Sequence, residues 1–176
     1  MCHATDLLGE EGKGWSYGKV LLDRERGIAA SMGLRLGQYL RVVKDRAAGT
    51  RVNGATLLAQ PTYRDKLAQI EIEMMALEFM GLRTLAASVV GADSGPRASI
   101  LKVRWSELLQ RLTELWVETV GYYAAEFATL DSNESGEVPD GMPDAVASYL
   151  HARVTTIYGG SSEIQRNIIA RRSLGL

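Results

Sequence analysis

The chain has 176 residues, of which 46% are hydrophobic and 23% are charged, and its formal net charge is −1. This length and apolar content suffice for one domain with a buried core, and the near-neutral charge favours neither nucleic acid nor an anionic membrane as a partner. One cysteine, Cys2, excludes an internal disulfide, and the two histidines, His3 and His151, form no cluster typical of a metal site. The acidic N-terminus lacks the layout of a signal peptide and no apolar run reaches membrane-spanning length, so we expect a cytoplasmic protein without bound metal.

The first half of the chain changes from a glycine-rich start to a helical pattern. Residues 1–18 contain four glycines and several charges, which predicts an extended lead-in rather than a helix. From 19 to 46 the apolar residues recur at intervals of three, four and six residues, as an amphipathic helix requires. Gly33 and Gly37 lie four residues apart on this helix, where they would let another backbone approach closely. Residues 49–54 end the pattern.

The second half continues with helices. Pro61 is well placed in a first helical turn, and the pattern predicts a helix from there to about Val90. A third helix over 97–128 carries the longest apolar stripe, with Trp105 and Trp116, and should form the core. The range 129–143 reads as a solvated loop, followed by a short fourth helix over 144–156. No stretch alternates in polarity for long enough to build a sheet, so the predicted fold class is all-α, an up-and-down helical bundle.

The end of the chain contains the most informative turn. Gly159 and Gly160 permit an unusual backbone angle, and a serine then offers an N-cap to a fifth helix. Ser162 and Gln165 have capping-box spacing. Free backbone N–H groups at such a helix start, flanked by small residues, suit an anion or a sugar hydroxyl. From spacing alone, an ordinary well-capped C-terminal helix is the simpler interpretation.

Residues 158–171, Tyr-Gly-Gly-Ser-Ser-Glu-Ile-Gln-Arg-Asn-Ile-Ile-Ala-Arg, closely resemble the C-terminal signature of acyl-CoA dehydrogenases. The resemblance implies the fold of that family's C-terminal helical domain, a flavoprotein oxidoreductase of fatty acid or lipid catabolism, and FAD as cofactor. It places Tyr158 and Gly159 beside an acyl-CoA substrate. The residues that it implies in contact with the flavin are Ser161, Ser162 and Glu163.

The resemblance also bears on the catalytic base. Many members carry a catalytic glutamate directly after the tyrosine, where this chain has Gly159. Residues 22–27, Leu-Asp-Arg-Glu-Arg-Gly, resemble the first helix of the domain, on which the isovaleryl-CoA type carries its glutamate. This implies Glu25 as the base that removes the proton next to the thioester, with Asp23 and Arg26 near the CoA thioester. The alternative is that 24–26 form a charged helix start in solvent, the commoner fate of such a run.

Two further resemblances concern the rest of the enzyme. Residues 7–15 are similar to the segment that leaves the family's middle β-domain, which implies that 1–18 are a linker and 19–176 the C-terminal bundle domain. Of the family's two motifs that reach a neighbouring subunit's FAD, one is only weakly matched at 50–54 and the other is replaced by a different sequence at 120–123. We therefore expect a homo- or hetero-oligomer that needs the missing N-terminal and β-domains, and little activity from the isolated chain. The alternative function is a non-catalytic structural or assembly subunit of a heteromeric acyl-CoA dehydrogenase.

Overall fold

The computed structural model describes residues 6–28, 32–90, 96–121 and 143–176, excepting the side chains of 22–28, 34, 88, 143 and 144. The predicted all-α helical bundle is confirmed. The α-helices are α1 (Gly14–Ile28), α2 (Met32–Gly49), α3 (Pro61–Val89), α4 (Arg97–Val120), α5 (Pro143–Ala152) and α6 (Ser162–Ile169). Short 3-10 helices cover Leu57–Ala59 and Arg153–Thr156, and a π-helical turn covers Ala170–Leu174.

Helix α4 lies at the centre of the bundle and contacts α1, α2, α3, α5 and α6. A helix can occupy that place only if it is apolar on several sides, because each side meets a neighbour rather than water. Its buried apolar residues include Leu101, Leu108, Leu112, Leu115 and Trp116. The helix ends at Gly121, whose φ of 65° is readily adopted by glycine. The third predicted helix is therefore the core, as expected, and its predicted extension over 122–128 lies outside the described residues.

Helices α2 and α3 pack against each other and against α4. A Cβ atom at Gly33 would lie 3.0 Å from Cγ and 3.7 Å from Cα of Glu78, so α3 passes close to α2 at this glycine. The expected close approach is confirmed at Gly33. Helix α3 begins at Pro61 and ends at Val89, one residue before its predicted end.

The N-terminal prediction was partly wrong. Helix α1 already begins at Gly14, so 14–18 are helical rather than extended. The single helix predicted over 19–46 is described as α1 and α2, with 29–31 outside the described residues, and α2 continues to Gly49. Glycines at 14 and 18 are tolerated because this part of α1 is largely exposed and no close packing depends on a side chain there. The predicted loop over 129–143 lies outside the description except for the backbone of Pro143.

A small β-hairpin lies between α2 and α3, where no strand was predicted. Strand β1 (Arg51–Val52) pairs antiparallel with β2 (Ala55–Thr56). The two residues between them, Asn53 and Gly54, have φ values of 52° and 83°. Positive φ at both central positions is the geometry of the tight hairpin turn that Asn-Gly favours.

The surface of α3 away from the core is apolar. Ile72, Met75, Phe79, Leu82 and Val89 each expose more than half of their surface. Their spacing places them along one side of the helix. We call these five residues the outer stripe of α3. In the part of the chain that the structure describes, no helix is long and apolar enough to cross a membrane, and no cluster of three metal-binding side chains occurs.

Candidate functional site

The glycine turn, residues 157–161, connects the 3-10 helix Arg153–Thr156 to α6. Gly159 and Gly160 have φ values of 66° and 91°, so the unusual backbone angles predicted for this pair are confirmed. Ser161 is extended and caps α6, and its Oγ accepts a hydrogen bond of 3.4 Å from the N–H of Ile164. A short turn of small residues thus leads directly into a helix with a side-chain N-cap.

The predicted capping box was wrong. The cap is Ser161 rather than Ser162, whose side chain is buried. Gln165 is 1% exposed and points into the protein, where its Nε2 donates a 3.0 Å hydrogen bond to the carbonyl oxygen of Gly159. Spacing alone placed Gln165 at the helix start because it could not show that the turn's own carbonyl needed a donor.

A second buried side chain holds the next carbonyl of the glycine turn. Lys102 of α4 is 5% exposed, and its Nζ donates a 2.8 Å hydrogen bond to the carbonyl oxygen of Gly160. In a trans peptide the N–H points opposite to the C=O. Because both carbonyls point to buried donors, the N–H groups of Gly160 and Ser161 point the other way, and no acceptor for them occurs among the described residues. The N–H of Ser162, the first residue of α6, also has no acceptor among the described residues, whereas Ile164 donates to the Ser161 cap.

Glu163 and Lys102 set the charge of this region. The pKa of Glu163 is lowered, first by hydrogen bonds from its own backbone N–H and from the Ser161 hydroxyl, and further by the positive charges of Arg166 and Lys102. Burial lowers the pKa of Lys102, an effect that the charge of Glu163 partly offsets. Glu163 is therefore ionised at neutral pH and lies at the exposed start of α6. An anion there also interacts favourably with the helix dipole.

Helix α6 is joined to the bundle by a line of ion pairs that we call the charge ladder. Arg166 of α6 pairs with Glu107 of α4 at 2.8 Å, and Glu107 pairs with Arg104 at 2.9 Å. Arg104 reaches Glu73 of α3 at 2.8 Å, and Glu73 also pairs with Arg111 at 2.5 Å. The ladder crosses three helices, but only the Arg166–Glu107 pair involves α6, and because this pair is largely exposed it adds modestly to the docking of the helix.

A cleft of about 420 Å³ lies beside the glycine turn, between α2, α4 and α5. Tyr158 lies on its rim, directly before Gly159. Trp105 and Thr113 of α4 are buried in its wall, with Arg35 of α2 and His151 of α5 exposed. The remaining described lining residues are Leu36, Tyr39, Leu109, Ala147, Ser148 and Ala152. The volume is in the range of small-molecule sites.

Five of the predicted site residues, namely Tyr158, Gly159, Ser161, Ser162 and Glu163, lie in the glycine turn and the first turn of α6. The other three predicted residues, Asp23, Glu25 and Arg26, lie on α1, and their side chains are outside the described residues. Helices α1 and α6 both contact α4.

The roles of Lys102 and Gln165 as the two buried donors of the turn were not predicted from the sequence. The signal for Lys102 was present, since a lysine stands between Leu101 and Val103 in the most apolar helix of the chain. A buried charge needs partners, so a lysine at such a position predicts a hydrogen-bond acceptor nearby.

Comparisons with known proteins agree with this fold. The family model described as "Acyl-CoA dehydrogenase, C-terminal domain" matches residues 12–174. The acyl-CoA dehydrogenase IpdE1 of Mycolicibacterium smegmatis is 31% identical over 171 residues, which cover 97% of this chain and 38% of that protein. The chain therefore spans about two fifths of the length of this curated relative.

Solved structures show the same fold at lower identity. The acyl-CoA dehydrogenase from Geobacillus kaustophilus superposes with a TM-score of 0.76 at 24% identity, over 98% of this chain and 42% of that one. The FAD complex of PigA superposes with a TM-score of 0.74 at 21% identity, over 96% of this chain and 40% of that one. Since the family model spans nearly the whole sequence, the chain belongs to the acyl-CoA dehydrogenase family, whose C-terminal domain it matches.

Proposed function

We propose that this chain is the C-terminal domain of a flavin-dependent acyl-CoA dehydrogenase and contributes to α,β-dehydrogenation of an acyl-CoA thioester. The observation that carries the proposal is the glycine turn, which presents the free N–H groups of Gly160 and Ser161 beside the capped start of α6. Donors fixed by buried side chains need no reorganisation when a ligand arrives, which makes them effective in binding.

The residues of the turn fit a flavin. A Cβ atom at Gly159 would meet nothing within 4 Å, so a flat ring can approach the backbone there. The ring's carbonyl oxygens and nitrogens would accept hydrogen bonds from the turn, with Ser161, Ser162 and Glu163 as the contacting residues. When bound, FAD supplies the acceptor for the hydride that leaves the β-carbon of the substrate.

Glu25 is the proposed base. A thioester acidifies the proton on its neighbouring carbon, and a carboxylate removes it most effectively when burial by an apolar acyl chain raises its pKa toward neutrality. Tyr158 and Gly159 would line the acyl group, and Asp23 and Arg26 would lie near the thioester. Gly159 leaves room at the position after the tyrosine, which supports a base supplied by α1 instead.

The test joins this chain to N-terminal and β-domains supplied by an acyl-CoA dehydrogenase relative. We expect a yellow flavoprotein whose absorbance is bleached by acyl-CoA. Glu25→Gln should retain the flavin and slow bleaching by about 10²- to 10⁴-fold, the usual contribution of a general base. Glu11→Gln, an exposed carboxylate ahead of α1, is the control and should bleach at the wild-type rate. Equal rates for Glu25→Gln and wild type would show that the base is elsewhere.

A second candidate function is a non-catalytic assembly subunit, and the outer stripe of α3 favours it. Exposed apolar surface of this extent is typical of an interaction site. In that case the chain would form a stable complex with a catalytic acyl-CoA dehydrogenase subunit without binding flavin itself. Phe79→Glu would then dissociate the complex, and flavin would stay with the partner.

A further inference from the structure

The cleft beside Tyr158 has a basic opening, which a purely hydrocarbon ligand would not require. Two basic side chains, Arg35 and His151, lie at its opening, and no acidic residue occurs among its described lining residues. Arg35 makes no ion pair or hydrogen bond within the described part of the chain, in contrast to Arg104, Arg111 and Arg166. An unpaired guanidinium over a partly apolar cleft favours a ligand that brings a carboxylate.

The interior of the cleft suits the apolar part of such a ligand. Tyr39, Trp105 and Tyr158 supply aromatic surface, and Leu36 and Leu109 supply aliphatic surface. The indole N–H of Trp105 is buried and has no acceptor among the described residues. Because this N–H has almost no exposed surface, it reports on the packing of the cleft wall and is not itself a ligand contact.

We propose that this cleft binds the far end of the acyl group, and that this end carries a carboxylate. The identification of the ligand as an acyl group rests on the proposed function, because it relies on Tyr158 being shared by the cleft and the glycine turn. The carboxylate pairs with Arg35 beside His151, and the connecting carbons lie against Tyr39 and Trp105. The enzyme's substrates are accordingly CoA thioesters of dicarboxylic acids rather than of simple fatty acids.

The first experiment uses the 176-residue chain alone and needs no flavin. Hexanoate and 1-hexanol, which share a six-carbon body and differ in charge, are titrated while the indole N–H signal of Trp105 is followed by NMR. Hexanoate should shift this signal saturably and bind up to about fivefold more tightly than hexanol, which is the upper range for a partly exposed ion pair. Arg35→Gln should weaken hexanoate about fivefold and leave hexanol unchanged.

Arg41→Gln is the matched control, because Arg41 is exposed on the same helix and does not line the cleft. Equal affinities for hexanoate and hexanol, or an unchanged hexanoate affinity in Arg35→Gln, would overturn the proposal. So would an equal loss in Arg41→Gln, since the effect would then reflect net charge alone.

The second experiment uses the flavin-containing protein assembled with N-terminal and β-domains from an acyl-CoA dehydrogenase relative and compares adipyl-CoA with hexanoyl-CoA. We expect a higher kcat/KM for adipyl-CoA, with the preference lost in Arg35→Gln. A preference for hexanoyl-CoA would overturn the assignment of the cleft to the acyl end. A protein that binds hexanoate through Arg35 but is bleached by neither thioester would contradict the proposed function instead, so the two failures are distinguishable.

Discussion

The ammonium group of Lys102 donates a 2.8 Å hydrogen bond to the carbonyl oxygen of Gly160, 58 residues further along the chain. This contact and the bond from Gln165 to Gly159 fix two successive peptides of the glycine turn. The turn is therefore shaped by side chains of α4 and α6 rather than by the local sequence alone. Its stability should respond to changes at all four residues.

Replacing Gly160 by alanine should destabilise the protein more than the same change at Gly159. Both residues have positive φ, which costs alanine about 1–2 kcal/mol. At Gly160 the added Cβ would also lie 2.6 Å from Nε2 of Gln165, and moving that side chain breaks its bond to Gly159. We expect a loss of about 1 kcal/mol for Gly159→Ala and about 2–3 kcal/mol for Gly160→Ala, measured by urea unfolding. Equal losses would contradict the role given to Gln165.

The buried Lys102 should make stability depend on pH. Because burial lowers its pKa in the folded protein, the unfolded chain binds more protons at alkaline pH, and the free energy of unfolding rises as pH increases through the folded pKa. Lys102→Met lacks this group. The stability of the wild type relative to Lys102→Met should therefore increase between pH 7 and pH 10 in urea unfolding. A constant or decreasing difference would show that the lysine is not held in a desolvated site.

The buried hydroxyl of Tyr63 should contribute measurably to stability. It lies 2.7 Å from Oγ1 of Thr119, whose own hydroxyl is 2.7 Å from the carbonyl oxygen of Leu115. Since the Thr119 proton is used on Leu115, Tyr63 is the donor, and burial raises its pKa. Tyr63→Phe should cost about 1 kcal/mol in thermal or urea unfolding. Tyr39→Phe is the control, because that ring packs edge-on against Trp116 and its hydroxyl has no partner among the described residues; it should cost less.

The charge ladder should be sensitive to salt. Glu73→Gln removes the pairs with both Arg104 and Arg111, which are partly exposed, so the expected loss is about 1 kcal/mol or less. Screening should shrink this loss in 1 M NaCl, because exposed charges interact weakly at that ionic strength. Glu114→Gln, on an exposed position of α4 without an ion pair in the described part of the chain, should show no such salt dependence. A loss for Glu73→Gln that is unchanged by salt would point to packing rather than charge.

The helices were predictable where local signals agree with packing. Proline at 61 marks the start of α3, and the apolar stripe of α4 identified the central helix because a helix surrounded by neighbours must be apolar on several sides. The hairpin was missed although Asn53-Gly54 is a strong turn signal, since its two-residue strands are too short to show alternation. The start of α1 was misplaced because glycines in an exposed helix weaken the helical pattern without preventing the helix.

The candidate site was predictable only in part. Gly159 and Gly160 predict a turn because glycine readily adopts positive φ, and Ser161 is a favourable N-cap residue. The donors that orient the turn are Lys102, 58 residues away from its acceptor, and Gln165 on the inward face of α6, and hydrophobic periodicity identifies the acceptor of neither. The assignment of Glu25, Asp23 and Arg26 depends on resemblance and stays a prediction.

Helix α6 has eight residues, fewer than an isolated helix needs to be stable in water. It must acquire its structure by docking on α4, through the Arg166–Glu107 pair and the glycine turn that Lys102 holds. During synthesis α4 is complete about 40 residues before α6 is made. Lys102 and Glu107 therefore have no partners in the glycine turn or α6 during that interval. A truncated chain that ends at Ser161 should therefore resemble the finished fold in most of its helices and still lack the glycine turn as an ordered feature.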